Sequence, residues 1–258
     1  MELVVARIDE LRPRLTEHFE QWVASSTEGG SSAFAPGAST SAQGAPADKS
    51  ADKKDPPLQK SCAISGGATA LLFLGALRTA NVDWKRITLF WTDERAVAPD
   101  DPESNYGIAE RMLLDPLGAK APRAIRMPAD MPRLGEAALR YDNILAHELR
   151  NGPLDLALLG IGEDGHIASL FPGHPALLDD DLRVVAVEDA PKPPPRRLSL
   201  TLPFLRQTKK IWIIAIGPRK LAVLNAAMER TRHATPLDLL LHQAKDVTVY
   251  TDQVIHRA

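Results

Sequence analysis

The chain has 258 residues, 44% of them hydrophobic and 25% charged, which is typical of a globular protein that can bury a core without disulfides or a structural metal. Its formal net charge of -2 excludes a whole-molecule attraction to nucleic acid or anionic membranes, so an anionic ligand must be held by local groups. Cys62 is the only cysteine, which excludes an internal disulfide and fits a reducing compartment.

The N-terminal segment contains acids and bases but no long apolar run of the kind found in signal peptides. No segment of the chain approaches the ~20 apolar residues of a membrane span. We therefore expect a cytoplasmic protein with no membrane or nucleic-acid partner. From Val5 to about Val23, apolar residues recur at helical spacing and predict an amphipathic first helix. Pro13 favours a kink or a late start of this helix.

The stretch between Ala24 and about Gln59 is dominated by Ser, Ala, Gly, Pro and Lys. Such a sequence buries too little apolar surface to offset the entropy of ordering it. We interpret about residues 26–58 as a flexible, low-complexity insertion within a single domain that spans residues 1–258. The alternative is a linker between two domains, which is disfavoured because the helix before it is too short to fold alone.

Strands and helices alternate from the end of this stretch to the C-terminus. The predicted strands are Ser61–Ser65, Arg86–Trp91, Leu154–Gly160, Leu182–Val187, Arg197–Leu202, Lys210–Gly217 and Asp246–Thr251. The predicted helices are Ala68–Ala80, Ser104–Leu114, Arg133–Leu149, Pro218–Glu229 and Pro236–His242. Several strands are continuous apolar runs, as strands covered on both faces require. This order predicts an α/β fold, with an open, mostly parallel, doubly wound sheet and helices on both faces.

Ligands of such sheets bind at the carboxyl ends of the strands, so the strand-to-loop junctions are the candidate sites. At the first junction, Ser65-Gly66-Gly67-Ala68-Thr69 connects an apolar strand to an apolar helix. Paired glycines allow backbone N–H groups to approach an anion closely, and the helix N-terminus adds the positive end of its dipole. This segment predicts a phosphate-binding loop, and the alternative is a tight turn without a ligand.

The second junction, Trp91-Thr92-Asp93-Glu94-Arg95, also ends an apolar strand, and Ser104-Asn105-Tyr106 follows it at the start of a helix. A guanidinium matches the geometry of a phosphate and can form bidentate hydrogen bonds with it, so Arg95 is a candidate phosphate ligand. The alternative is a solvated, charged turn.

The third junction is Gly160-Ile161-Gly162-Glu163-Asp164-Gly165-His166. A histidine accepts a proton near neutral pH, and the glycines and acids around His166 favour a general base over a structural histidine. His166 and His174 do not have a familiar zinc spacing, and Ser65 is not in a G-x-S-x-G nucleophile elbow. We expect neither a metal nor a cofactor.

Four segments together closely resemble the 6-phosphogluconolactonase family. They are Ala63–Thr69, Thr92–Arg95 with Ser104–Tyr106, Leu159–Gly173 and Ala190–Thr201. The resemblance extends from about Ser61 to the C-terminus, and Leu159–Gly173 alone is highly specific.

The resemblance implies a metal-independent enzyme that hydrolyses 6-phospho-D-glucono-1,5-lactone to 6-phospho-D-gluconate, the second step of the oxidative pentose phosphate pathway. It implies that His166 is the general base that activates water, and that Asp164 orients or polarises the His166 side chain. The residues that it implies for the 6-phosphate are Ser65, Gly66, Gly67, Thr69 and Arg95. Lys192 and Arg196 are further candidates for phosphate or sugar contacts, and their alternative is a proline-stiffened surface loop.

Two features depart from the family. Ala68-Thr69-Ala70 stands where the family usually has Ser-Thr-Pro, and the insertion before Ser61 is longer than the usual connection. A glucosamine-6-phosphate deaminase is the first alternative, but its Asp-Gly-His turn is normally followed by Ala-Phe-Asn-Glu-Pro, whereas this chain has Ala168–Pro172. The deaminase also has Asp-Glu-Tyr at the segment where this chain has Asp93-Glu94-Arg95. The second alternative is a non-catalytic sugar-phosphate sensor, which usually carries a helix-turn-helix that is not visible before Ser61.

Overall fold

The computed structural model describes residues 1–25, 59–179, 181–229 and 235–253. The predicted insertion at about residues 26–58 lies outside the described residues, so its interpretation stays a prediction. No helix in the described ranges is long and apolar enough to cross a membrane.

The strands are β1 (Glu2–Val5), β2 (Lys60–Ile64), β3 (Ile87–Trp91), β4 (Asp93–Arg95), β5 (Arg123–Ala124), β6 (Leu156–Gly160), β7 (Val184–Val187), β8 (Arg197–Leu200), β9 (Lys210–Ala215) and β10 (Val247–Thr251). The α-helices are α1 (Ile8–Ala24), α2 (Ala68–Leu77), α3 (Asn105–Ala109), α4 (Asp115–Leu117), α5 (Leu134–Glu148), α6 (Leu202–Gln207), α7 (Pro218–Met228) and α8 (Pro236–Gln243). A π-helical turn, Glu110–Leu114, joins α3 to α4. Short 3-10 helices cover Trp84–Arg86, Gly118–Lys120 and Pro175–Leu178.

Seven strands form the central sheet, in the order β1-β10-β9-β6-β2-β3-β5. Every neighbouring pair in this sheet is parallel. All residues of β2 and β3 are buried, which agrees with strands covered on both faces. The predicted parallel α/β fold is therefore confirmed.

The direction of the connections reverses between β2 and β6, which lie side by side. From β2 the chain passes through α2 to β3 on one side, whereas from β6 it proceeds to β9 and β10 on the other. Right-handed crossovers place the helices of these two directions on opposite faces of the sheet. Accordingly, α1 packs against α2, and α7 packs against α8. A strand-order reversal of this kind opens a crevice at the carboxyl ends of the two strands.

Two predicted strands belong to a second sheet. Within Leu182–Val187 and Arg197–Leu202, the structure forms β7 and β8, which pair antiparallel with each other. β8 also pairs antiparallel with β4, so the three strands form a separate sheet in the order β4-β8-β7. An apolar pattern identifies a strand but not its partner, and β4 is too short to give a pattern of its own.

The first helix begins at Ile8 and contains Pro13 internally, so the late start that Pro13 suggested is wrong. The sequence also missed β1, β5 and α6, each of six residues or fewer, because such short elements contain little periodic signal. The last residue of the predicted strand Arg197–Leu202 begins α6 instead.

Candidate functional site

A cavity of about 150 Å³ lies at the strand-order reversal. Its lining comes from all three junctions identified in the sequence, and also from β8 and α7. The lining residues are Ser65, Gly66, Gly67, Asp93, Arg95, Gly160, Ile161, Gly162, His166, Ala168, Arg197 and Lys220.

His166 and Asp164 form a hydrogen-bonded pair after β6. The Nδ1 atom of His166 lies 2.5 Å from Oδ1 of Asp164. Gly162 makes this pair possible, because a Cβ at that position would lie 1.9 Å from Nδ1 of His166 and 2.3 Å from Oδ1 of Asp164. Gly165 has a φ of +81°, and a Cβ there would lie 2.7 Å from Cβ of Thr235. Gly162 is thus required by close contacts, and Gly165 by close contacts and backbone conformation.

The charges around this pair determine the protonation state and the tautomer of the His166 imidazole. Burial alone would raise the pKa of Asp164, but hydrogen bonds from His166 and Lys192 outweigh it and hold the pKa at about 2. Burial lowers the pKa of His166 below its ordinary value, against the opposing charge of Asp164. Asp164 is therefore an acceptor near neutral pH, so a neutral His166 carries its proton on Nδ1. Nε2 is left as the basic nitrogen.

Two glycines form the predicted phosphate-binding loop between β2 and α2. Gly67 has a φ of +74° and directly precedes α2. A Cβ on Gly66 would lie 1.7 Å from Oδ1 of Asn105, so only glycine fits there. The hydroxyl of Ser65 is buried and lies 2.8 Å from Oγ1 of Thr92, so it holds the neighbouring turn. The side chain of Thr69 lies outside the described part of the chain.

Glu94 in the second junction anchors α3. Its carboxylate accepts hydrogen bonds from the backbone N–H groups of Asn105 at 2.8 Å and Tyr106 at 2.7 Å. Burial raises the pKa of Glu94 against these hydrogen bonds. Its neighbour Arg95 lines the cavity. Nη1 of Arg95 donates to the carbonyl oxygen of Glu103 at 2.9 Å, whereas its Nε is buried without a hydrogen-bond partner.

Asp93 and Arg197 are cavity residues that the sequence did not single out as ligands. Ser169 lies between them: its Oγ donates to Oδ2 of Asp93 at 2.7 Å and accepts from Nη1 of Arg197 at 3.3 Å. Both charged residues are 4% exposed. Burial lowers the pKa of Arg197, against the charge of Asp93. An arginine at the first position of a predicted strand was the available signal for Arg197.

Lys220 is a third cation in the cavity lining, and it lies in the first turn of α7. Burial lowers its pKa, against the charge of Glu163. The available signal was its position in the first turn of the helix that follows the apolar strand β9, with Gly217 as the N-cap of that helix.

Lys192 and Arg196, the remaining two candidates for phosphate or sugar contacts, have different surroundings in the structure. Lys192 is not among the lining residues, but its Nζ lies 3.0 Å from Oδ2 of Asp164. Arg196 also lies outside the lining. Its Nε donates to Glu188 at 2.8 Å, and Nη2 donates to the carbonyl oxygen of Pro132 at 3.1 Å.

Three cations, Arg95, Arg197 and Lys220, thus line the same cavity as one carboxylate, Asp93, and the imidazole of His166. This arrangement attracts an anionic ligand and places a proton acceptor beside it. Among the described residues, no group of three or more His, Cys, Asp or Glu side chains lies close enough to hold a metal ion.

The fold and the site together define a doubly wound α/β protein with a cationic cavity and a candidate general base at the carboxyl edge of its sheet. Residues 45–250 match the model of the family described as glucosamine-6-phosphate isomerases/6-phosphogluconolactonase. The chain belongs to this family.

Several relatives with the 6-phosphogluconolactonase name are similar to this chain. The Mycobacterium tuberculosis protein is 39% identical over 171 residues, which cover 63% of this chain and 69% of that protein. The rat protein is 32% identical over 202 residues, covering 75% and 78%. The solved structure of 6-phosphogluconolactonase from Thermotoga maritima matches with a TM-score of 0.72 and 21% identity, over 97% of this chain and 98% of that one. This structural match supports the shared fold.

Proposed function

We propose that this protein hydrolyses 6-phospho-D-glucono-1,5-lactone to 6-phospho-D-gluconate, the second step of the oxidative pentose phosphate pathway. The observation that carries the proposal is the placement of an Asp164-oriented imidazole in one cavity with three cations. Relatives up to 39% identical are named 6-phosphogluconolactonase. The site supplies what such a substrate requires, namely counter-charges for a phosphate and a base for water.

In the proposed mechanism, Nε2 of His166 takes a proton from a water molecule as its oxygen attacks the lactone carbonyl carbon. The resulting imidazolium is stabilised by Asp164, which accepts the hydrogen bond from Nδ1. The carbonyl re-forms, the bond between C1 and the ring oxygen breaks, and the proton from His166 passes to that oxygen. The carboxylic acid product then releases a proton to solvent, so each turnover yields one acid equivalent.

The 6-phosphate is assigned to the glycine loop and the cations of the same cavity. Its proposed ligands are the backbone at Gly66 and Gly67 and the side chains of Arg95, Arg197 and Lys220, all of which line the cavity. The N-terminus of α2 adds the positive end of its dipole. Ser65 also lines the cavity, with its hydroxyl 2.8 Å from Oγ1 of Thr92, and its assignment to the phosphate, like that of Thr69, stays a prediction.

We also propose that the protein acts in the cytoplasm on a small sugar phosphate, without a nucleic-acid partner. The net charge of -2 supports the absence of a nucleic-acid partner, because it gives no general attraction to a polyanion.

Acid release from freshly generated 6-phosphogluconolactone, corrected for spontaneous hydrolysis, tests the function. We expect a protein-dependent rate that EDTA leaves unchanged, and no ammonia from glucosamine 6-phosphate in a parallel assay. The Arg196→Ala variant, altered outside the cavity, is the matched control and should retain the rate. Ammonia release without lactone hydrolysis would contradict the proposal, and EDTA inactivation reversed by zinc or magnesium would contradict a metal-independent mechanism.

A further inference from the structure

We propose that Lys192 is a positioning residue that offsets the charge of Asp164 and thereby sets the proton affinity of His166. It does not contact the phosphate. This inference rests on the proposed role of His166 as general base, and it concerns a side chain that the cavity lining does not include.

The contacts of the Lys192 ammonium group carry the inference. Nζ lies 3.0 Å from Oδ2 of Asp164 and 3.3 Å from Nδ1 of His166. Oδ1 of the same carboxylate lies 2.5 Å from Nδ1. Because Nδ1 donates to Asp164, it has no lone pair for an ammonium donor, so the 3.3 Å distance is the approach of a cation to an N–H group. Such a cation disfavours the imidazolium and favours the neutral, basic imidazole.

The backbone of Lys192 is held by Arg197. Nη2 of this buried guanidinium donates to the carbonyl oxygen of Lys192 at 2.8 Å and to that of Pro193 at 3.2 Å. Its Nε donates to the carbonyl oxygen of Pro194 at 2.8 Å. The loop is thus fixed at three consecutive carbonyl groups, which keeps the lysine beside the Asp164–His166 pair.

The other charges around His166 act in both directions. Burial and Lys192 lower the pKa of His166, whereas Asp164 and Asp93 raise it. Arg95, Arg197 and Lys220 line the same cavity and add positive charge, and Phe171 contributes only an uncharged ring, 4.7 Å from the imidazole. Removing the Lys192 charge leaves Asp164 without its cationic partner, so His166 should bind its proton more tightly.

The size of the effect is limited by solvent. The Lys192 side chain is 46% exposed and that of Asp164 is 36% exposed, so water screens their interaction. We therefore expect a shift of about one pH unit, at the lower end of what a charge within hydrogen-bonding distance produces.

The test compares Lys192→Met with Lys192→Arg. The titration of His166 is followed by NMR of its ring carbon, with the signal assigned by its absence in His166→Gln. The midpoint should rise by about one pH unit in Lys192→Met and remain near wild type in Lys192→Arg, which retains the charge. The acid limb of kcat/KM should move in the same direction.

Lys209→Met is the matched control. Like Lys192, Lys209 forms an ion pair on a partly exposed side chain: its Nζ lies 2.8 Å from Asp155, and the side chain is 45% exposed. It lies at the amino ends of the strands, whereas His166 lies at the carboxyl ends, so the His166 midpoint should not move. If Lys192→Met leaves the midpoint unchanged and weakens binding of 6-phosphogluconate, Lys192 is a phosphate ligand and the inference is overturned. A shifted midpoint in a protein without lactonase activity would support the inference and contradict the proposed function.

Discussion

The strands of the central sheet begin at one edge, called the amino edge here, and end at the other, the carboxyl edge. Both edges contain charged residues, and the cavity lies at the carboxyl edge. At the amino edge, Asp155 accepts hydrogen bonds from the N–H and Oγ of Ser61 at 2.8 and 2.9 Å and from Lys209 at 2.8 Å. At the carboxyl edge, Nε of Arg95 and Oδ1 of Asn105 are buried without partners. Buried polar groups are normally paired, so these two atoms, which lie beside the cavity, are candidate contacts for a ligand. Substitutions at the carboxyl edge should change catalysis, and those at the amino edge should change stability.

The largest effect at the carboxyl edge is expected for His166→Ala. Positioned general bases contribute about 10²–10⁴-fold, so kcat should fall within that range. Affinity for 6-phosphogluconate should change little, because the phosphate ligands are assigned to Gly66, Gly67 and the cavity cations. Steady-state kinetics with the spontaneous rate subtracted measures kcat, and calorimetry measures product binding. Full kcat in a correctly folded variant would make His166 a structural residue.

The pH dependence of the wild-type enzyme tests the same base. Burial lowers the pKa of His166, so kcat/KM should stay high through neutral pH and decline only as pH falls below the ordinary histidine range. Protonated His166 cannot accept a proton from water, which fixes the sign. Rates measured in constant-ionic-strength buffers, corrected at each pH for spontaneous opening, define the acid limb. A limb displaced to higher pH than that of free histidine would contradict the assignment.

A smaller effect is expected for Arg95→Ala. Losing one charge-assisted hydrogen bond to phosphate costs roughly 1.5–3 kcal/mol, which corresponds to a rise in KM of about 10–150-fold. Arg196→Ala is the control, since its guanidinium pairs with Glu188 outside the cavity. If Arg95 supports only the fold, the variant will lose thermal stability while KM remains at the wild-type value.

At the amino edge, Asp155→Ala should destabilise the fold without changing kcat. It leaves the Ser61 N–H group without its acceptor, a loss of about 1–3 kcal/mol in the free energy of unfolding. Urea denaturation measures this loss, and the activity of the folded fraction provides the comparison. A large fall in kcat with unchanged stability would show that the two edges are not separable.

The smallest effect is expected for deletion of Gly30–Ala51. Nζ of Lys60 donates to the carbonyl oxygen of Trp22 and lies 2.9 Å from Oγ of Ser25, so the chain leaves and returns at one place on the amino edge. Shortening a loop between fixed ends changes its closure entropy only logarithmically. Stability and activity should remain near wild type. A loss of more than about 2 kcal/mol by denaturant titration would show that the segment packs against the domain.

The sequence predicted the parts of the site that follow apolar strands directly. His166, Asp164 and the paired glycines each come after such a strand, and the parallel sheet brings these strand ends to one edge. The sequence analysis missed Arg197 because this residue reaches the cavity from β8 of the antiparallel sheet. The pairing of β8 with the short β4 has no signature in the sequence. The sequence analysis also missed Lys220, because a lysine in the first turn of a helix has the same local pattern whether it faces solvent or a cavity.

Side-chain direction was the other quantity that the sequence did not determine. Arg196 and Arg197 are adjacent, yet one pairs with Glu188 at the surface and the other is buried beside Asp93. Successive residues of a strand point to opposite sides, so a one-residue difference in position exchanges their environments. The same local uncertainty applies to Ser65, whose hydroxyl holds Thr92.

The cavity lining extends along the chain from Ser65 to Lys220 and takes residues from both sides of the strand-order reversal. Contacts between positions so distant in sequence form slowly, because the chain between them must lose its freedom before they stabilise one another. A refolding molecule can therefore regain most of its helices while its cavity is still incomplete. A fragment that lacks the strands on either side of the reversal therefore lacks part of the cavity lining.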